Sequence, residues 1–355
     1  MKIGILTYHR AHNYGAVLQA LATRVFLKKN GFESSYIDYY PDYHKSVYLQ
    51  FSLREIYNLG FINGLRYIKA HILYRKECKQ RYDNFESFIR RFIEPYCKDT
   101  DEVFDIVIYG SDQIWRRQRW GIGYNPIYFG DESINARRKI TYAASMGILP
   151  LRNDEDRIKP LFENFNAISV REKSLQDYLI SIGYRDIKLC VDPTLLLDAQ
   201  DWNLYRNTDN QESDYVLLYN LQPSAFDIEQ SKNFANRYGY NLKILHGRFE
   251  KWSNEYDSVA GPGEFLSLVS NAKCILSSSF HGVVFSIIFN RPFYASLSTN
   301  ADRVKNLLEI LGLEDNYIDG NTVSKLHIPY IDYIKVNNKL KQLRKESCSY
   351  LLGQL

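Results

Sequence analysis

The sequence has no CxxC pair: Cys78, Cys97, Cys190, Cys274 and Cys348 are scattered and odd in number. That spacing argues against a thiolate zinc site and a disulfide framework, and it fits a reducing compartment. No other residues suggest a metal site, and none is expected. No apolar run reaches the roughly 18 residues that suggest a membrane-crossing helix. The chain opens directly on a strand-like run, Lys2-Ile3-Gly4-Ile5-Leu6, where no signal peptide is read. The expected location is the cytoplasm, with at most a peripheral contact at the inner face of the plasma membrane. The net charge is only +4, too small to suggest a nucleic-acid partner. The first loop carries no GxGxxG, so it has no dinucleotide fingerprint. Short-period repeats and low-complexity segments are absent as well.

What is present is ordinary for a globular protein: 45% hydrophobic and 24% charged residues in 355, enough for two domains with separate cores. The 29 tyrosines could line a sugar-binding cleft, with aromatic packing as the default alternative.

The organising stretch runs from Ser277 to Phe293. Lys273-Cys274-Ile275-Leu276 reads as a buried strand, and the serines after it can cap a helix. Val284, Ile287 and Ile288 are expected on that helix's buried face, and Asn290 stops it. His281-Gly282 therefore lies at a strand-to-helix corner, where free N–H groups favour an anion. Gly282 would admit a ligand close to the backbone, and His281 could bind a phosphate or move a proton. Local hydrogen bonding at a helix start is the competing reading of His281.

The first unit reads strand–loop–helix–strand: Lys2 to Tyr8, a polar loop with His9, His12, Asn13 and Tyr14, a helix from Ala16 to Lys29, and a strand from Phe32 to Tyr39. Such a unit points to a parallel sheet whose ligand loops open at the carboxyl ends of its strands. From about Leu53 to Ile93 long helices are expected, with Phe61, Leu65, Ile68 and Ile72 in one apolar stripe. This basic, aromatic segment could lie on an anionic membrane or present a solvated face. A buried strand at Phe104 to Tyr109 then ends in Gly110-Ser111-Asp112-Gln113-Ile114-Trp115. There a carboxylate, an amide and an indole could recognise hydroxyls, although Asp112 could equally cap a helix. The best domain boundary is the stretch from Asp192-Pro193 to Asp214. The architecture expected is α/β, with two Rossmann-like domains facing a cleft, as in many glycosyltransferases. They span 1–192, with a helical insertion at about 45–95, and 193–330. A basic helix in 331–355 is expected to pack back on the N-terminal domain.

Six motifs together resemble the polysaccharide pyruvyl transferase family. They are Asn13-Tyr14-Gly15-Ala16-Val17-Leu18-Gln19, Gly110-Ser111-Asp112-Gln113-Ile114-Trp115, Tyr142-Ala143-Ala144-Ser145-Met146-Gly147, Ser169-Val170-Arg171-Glu172, Asp192-Pro193-Thr194-Leu195-Leu196-Leu197 and Ser279-Phe280-His281-Gly282. They occur in family order over about residues 1–312. The resemblance implies a GT-B-like fold and transfer of pyruvate from phosphoenolpyruvate onto two hydroxyls of one sugar, forming a cyclic ketal in capsular or surface polysaccharide synthesis. Phosphoenolpyruvate is the co-substrate, and no cofactor is implied. The implied acceptor is an undecaprenyl-diphosphate-linked saccharide.

On this reading His281 and Asp112 are the catalytic candidates. Arg171, Ser279, His281, Gly282 and Arg303 would bind the donor, and His9, His12, Asn13, Tyr14, Gln113 and Trp115 the acceptor. Family members often carry Arg where this chain has Ser279, so Arg171 or Arg303 would take more of the donor's charge. Two rival readings are a sugar-nucleotide glycosyltransferase of the same architecture and a non-catalytic glycan- or lipid-binding protein.

Overall fold

The computed structural model describes residues 1–48, 51, 53–118, 123–150, 154–208, 212–220, 228–246, 257–296, 301–318, 323 and 325–355. They fall into two compact units, each made of separate chain segments. The first comprises Met1–Tyr40, Arg90–Leu197 and Asn337–Leu355, and the second Pro41–Ile89 and Asp198–Val336.

The first unit holds an all-parallel sheet of β1 (Ile3–Leu6), β2 (Ser34–Ile37), β3 (Cys97–Lys98), β4 (Phe104–Tyr109) and β5 (Ala136–Thr141). Their spatial order is β3-β2-β1-β4-β5. In the central strand, Ile3 pairs with Ser34 on one side and Ile106 on the other. All four β1 residues are buried, as expected of a parallel strand covered on both faces. Helix Tyr14–Lys29 follows β1. Asn13 caps its start by accepting from Ala16 N at 3.2 Å, and Lys28 and Lys29 complement its C-terminal dipole. A short pair, β6 (Ser169–Val170) and β7 (Lys188–Leu189), is joined to the β5 side by single parallel bridges, Ile140 to Ala167 and Ala144 to Val170.

The second unit holds β8 (Tyr215–Asn220), β9 (Asn241–His246), β10 (Cys274–Ser277), β11 (Phe293–Ser296) and β12 (Tyr317–Ile318). They form a second all-parallel sheet in the order β12-β11-β10-β8-β9. Val216, Leu218, Ile244, Cys274 and Leu276 from its strands pack with Phe234 and Ala235 of the covering helix. In each sheet the strand order reverses once, between β1 and β4 and between β8 and β10. Ligands bind at such switch points, outside the carboxyl ends of the strands.

Several local expectations change. The segment 41–89, expected as an insertion of the N-terminal domain, groups with the second unit. The middle segment of the first unit ends at Leu197, inside the expected boundary stretch from Asp192 to Asp214, so that only residues 193–197 move from the second domain to the first unit. Helix Leu53–Leu73 is broken at Gly60, whose φ of 72° no helix accommodates. Its apolar stripe is not covered: Phe61 is 83% exposed and Ile72 72%. Helix Phe280–Ile288 is buried all round, not on one stripe, because Trp202 and Phe265 also pack against Phe285. The edge strands β3 and β12, two residues each, are too short to leave a periodic signal.

Candidate functional site

In the first unit the motifs meet in one buried polar network. Gln19, from the helix after β1, donates to Thr7 Oγ1 at 2.9 Å and accepts from Ser111 N at 3.1 Å. Ser111, after β4, donates its hydroxyl to Asp192 Oδ2 at 3.1 Å. Asp192 also takes Arg171 Nη1 and, through Oδ1, the Thr194 hydroxyl at 2.7 Å. Arg171 Nε reaches Glu172 Oε1 at 3.4 Å, and Ser145 donates to the same oxygen at 2.7 Å. Burial works against the charge on Arg171, but Glu172, Asp192 and Asp112 more than offset it and hold the guanidinium protonated. Five of the six motifs thus converge on this cluster, which spans the β1/β4 switch point. Gln19, Ser145, Glu172 and Asp192 were legible only as motif letters, since nothing local marks them as one network.

The expected acceptor residues divide by exposure. His9 is 1% exposed; its ring stacks on Tyr36, its Nδ1 contacts Thr7 O, and its Nε2 lies 3.4 Å from Asp38. Tyr14 is buried in the first helical turn, and Asn13 spends its side-chain oxygen on the cap. Trp115 is wholly buried, donating its indole N–H to Tyr128 O at 2.9 Å and packing on Phe129 and Phe162. His12, Asp112 and Gln113 are part-exposed and Asn13 is exposed. Asp112 accepts from Gln113 N at 2.7 Å, so its carboxylate makes a local turn of the kind that leaves a second oxygen for other partners.

His9, Asp38 and Cys97 come within 4.8 Å of one another. The set suits a guanidinium better than a metal ion. Arg10 already holds both Asp38 oxygens at 2.6 and 2.7 Å, so that carboxylate is spent on an ion pair, and burial pushes the Cys97 thiol up to about 12.

In the second unit the corner after β10 sits at the β8/β10 switch point. Ser277 Oγ accepts from Ser279 N at 3.1 Å and closes the turn. Ser279 occupies the N-cap position of helix Phe280–Ile288 without a capping bond; its side chain instead hydrogen-bonds the Tyr219 phenol, which burial pushes up to about 12. Ser278 donates to Asn220 Oδ1 at 3.0 Å. Gly282 is needed for the protein's own packing: a Cβ there would lie 2.1 Å from Ser277 Oγ and 2.8 Å from the Tyr219 ring. The expected ligand approach at Gly282 is therefore filled by side chains. His281, 8% exposed, meets the Phe280 ring edge-on at 5.1 Å. Arg303, from helix Ala301–Leu311, places its guanidinium 5.6 Å from the centre of that same ring. The expected donor residues Ser279, His281, Gly282 and Arg303 thus gather at one edge of one sheet, whereas Arg171 and Asp112 belong to the first unit.

Arg81 is a residue the sequence did not single out. It lies in helix Arg75–Phe92 and donates to His246 O at 2.9 Å, at the carboxyl end of β9. Its charge acts on the Tyr219 phenol, the group that also holds Ser279. Neighbouring Asn84 donates to Val259 O at 2.8 Å, so this helix is anchored to the second unit. In the sequence Arg81 was one positive charge among many on a basic segment.

The chain is similar, at low identity, to solved structures of an epimerase and two glycosyltransferases. The UDP-GlcNAc 2-epimerase of Methanocaldococcus jannaschii is 13% identical with a TM-score of 0.46, over 97% of this chain and 100% of that one. E. coli heptosyltransferase WaaC is 11% identical with a TM-score of 0.43, over 98% and 100%. The Streptomyces glycosyltransferase SsfS6 is 11% identical with a TM-score of 0.40, over 98% and 96%. No curated protein matches in sequence. The sequence model of the family described as polysaccharide pyruvyl transferase matches residues 13–299, from the Asn13 cap through the corner at His281. The chain belongs to the polysaccharide pyruvyl transferase family.

Proposed function

We propose that this protein moves pyruvate from phosphoenolpyruvate onto two hydroxyls of one sugar, closing a cyclic ketal and releasing phosphate. The observation that carries this reading is the cationic edge at the β8/β10 switch point. There a helix N-terminus, His281, Arg303 and Arg81 belong to one unit and suit a ligand bearing a phosphate and a carboxylate. Arg81 supplies the charge that Ser279 lacks relative to the family motif.

The reaction needs an acid and a base, each worth typically 10²–10⁴-fold. A proton reaches the methylene carbon of the donor, and the adjacent carbon becomes oxocarbenium-like. The first sugar hydroxyl bonds to that carbon and gives its proton to the base. Departure of phosphate regenerates the cationic carbon. The second hydroxyl then closes the ring, and its proton leaves with phosphate. His281 is assigned as the proton donor or phosphate ligand, and Asp112 as the acceptor-side base. No cofactor is required by these steps.

The acceptor proposed is a saccharide linked to undecaprenyl diphosphate, met at the cytoplasmic face of the membrane. Its support is the part of helix Leu53–Leu73 after the Gly60 break, which leaves Phe61, Ile62 and Leu65 exposed beside Arg66 and Lys69. No helix among the described residues is long and apolar enough to cross a membrane. An apolar face flanked by cations suits the interface of an anionic bilayer.

The test is phosphate release from phosphoenolpyruvate, with mass detection, across a panel of lipid-linked mono- and disaccharides. A product heavier by one pyruvate ketal is expected. Turnover of a nucleotide-sugar with phosphoenolpyruvate untouched would replace this reading with a glycosyltransferase.

A further inference from the structure

The opposite edge of the second sheet carries a second cluster of cations. Lys273 immediately precedes β10, Arg291 lies two residues before β11, and Ser213 lies just before β8. With Arg206, Asn203, Thr208 and Asn271 they line a cavity of about 410 Å³. No carboxylate is among the described residues lining it.

Arg206 is held in place by two side-chain amides. Its Nη1 donates to Asn203 Oδ1 at 3.0 Å and its Nη2 to Asn271 Oδ1 at 2.8 Å. Lys273 is paired with Asp214 at 3.4 Å. The buried Nε atoms of both Arg206 and Arg291 lack any hydrogen-bond partner, and among the described residues no carboxylate pairs with either guanidinium. Burial, and then the like charge of Arg291, pull the Arg206 pKa down. Two guanidinium groups lining one part-buried cavity, with no carboxylate paired to either among the described residues, are unfavourable unless an anion joins them. Arginine forks match phosphate oxygens in number and geometry.

We propose that this cavity is a binding site for a small phosphate-bearing ligand, separate from the edge that carries His281. The ligand bridges Arg206 and Arg291 and takes a third contact from Lys273. A volume of about 410 Å³ suits a phosphorylated sugar or a diphosphate.

The test is thermal unfolding of the full chain in a phosphate-free buffer, titrated with inorganic phosphate and with pyrophosphate at ionic strength matched by chloride. The wild type should rise saturably, by about 3 °C or more at a large excess over Kd. Arg291→Gln should lose that rise while unfolding, without anion, at or above the wild-type temperature, because a repulsion is gone. Arg206→Gln should lose it too; if that variant fails to fold, Arg291→Gln alone decides. His281→Asn should keep the rise. Loss of the rise in His281→Asn with retention in Arg291→Gln would overturn the proposal, since the anion would then bind at the other edge. Absence of any rise in the wild type with either anion would overturn it equally.

Discussion

Arg171 Nη1 and the Ser111 hydroxyl donate to the same Asp192 oxygen, so residues from the ends of β4 and β6 are tied to one carboxylate. Asp192 is fully buried and the Arg171 side chain is 3% exposed. Removing one member of such a pair leaves the other charged and desolvated, which destabilises by about 3–5 kcal/mol. Asp192→Ala should therefore lower the unfolding free energy by that amount and bring the urea midpoint down accordingly. A midpoint within error of wild type would show that the network is dispensable.

His281→Asn should reduce turnover of phosphoenolpyruvate by about 10²-fold or more, with an unchanged far-UV spectrum and unfolding temperature. Near-wild-type kcat in this variant would remove His281 from the chemistry.

Arg81 is proposed to neutralise donor charge, so its loss should show in binding more than in the chemical step. Arg81→Gln is expected to raise the KM for phosphoenolpyruvate roughly tenfold, about one charge-assisted hydrogen bond. Arg81→Lys should recover part of it. A fall in kcat with KM unchanged would instead indicate that Arg81 only anchors its helix to His246.

The hydrogen bond with His9, followed by the Arg10 fork, holds the Asp38 carboxyl well below the usual carboxylate range. A depressed folded-state pKa adds stability that is fully present above the unfolded value near pH 4 and is withdrawn as pH falls further. Asp38→Asn should accordingly flatten the decline of unfolding temperature below about pH 4. With Asp38 about one-third exposed, screening limits the effect at pH 7 to about 1 kcal/mol. An unaltered acid limb would mean that other carboxylates dominate it.

If the exposed face of helix Leu53–Leu73 meets a membrane, Phe61→Asp combined with Leu65→Asp should abolish sedimentation with anionic vesicles. Unfolding temperature should hold, because Phe61 is 83% and Leu65 52% exposed. Equal sedimentation of the double variant would place membrane contact elsewhere or nowhere.

Central strands were readable because burial on both faces leaves continuous apolar runs. Phe104–Tyr109 and Tyr215–Asn220 fall where those runs lie. Ala136–Thr141 begins four residues before its buried part at Ile140, since Arg137 and Arg138 continue the strand with exposed side chains. The corner at His281 was legible from one strand and one helix start. Arg303 was expected beside it, but its dependence on Tyr219 and Arg81 was not legible, because those partners are 62 and 200 positions away and the contacts leave no local period. Trp115 showed the converse: an indole in a polar motif reads as a ligand platform, but its N–H is satisfied by a backbone carbonyl inside the core.

The division of the chain also bears on the order of assembly. The first unit is interrupted twice, and its third segment, Asn337–Leu355, supplies Arg344 to the carbonyls of Leu195 and Leu197, the Ser347 hydroxyl to Val191 N, and Tyr350 to Thr141 O. During N-to-C synthesis the second unit therefore has all of its strands available before the first can close. The stretch Cys190 to Leu197, with Asp192 inside it, stays without its covering helix in the interval. Released chains truncated at Val336 should thus show a protease-resistant second unit beside a first unit still open to cleavage.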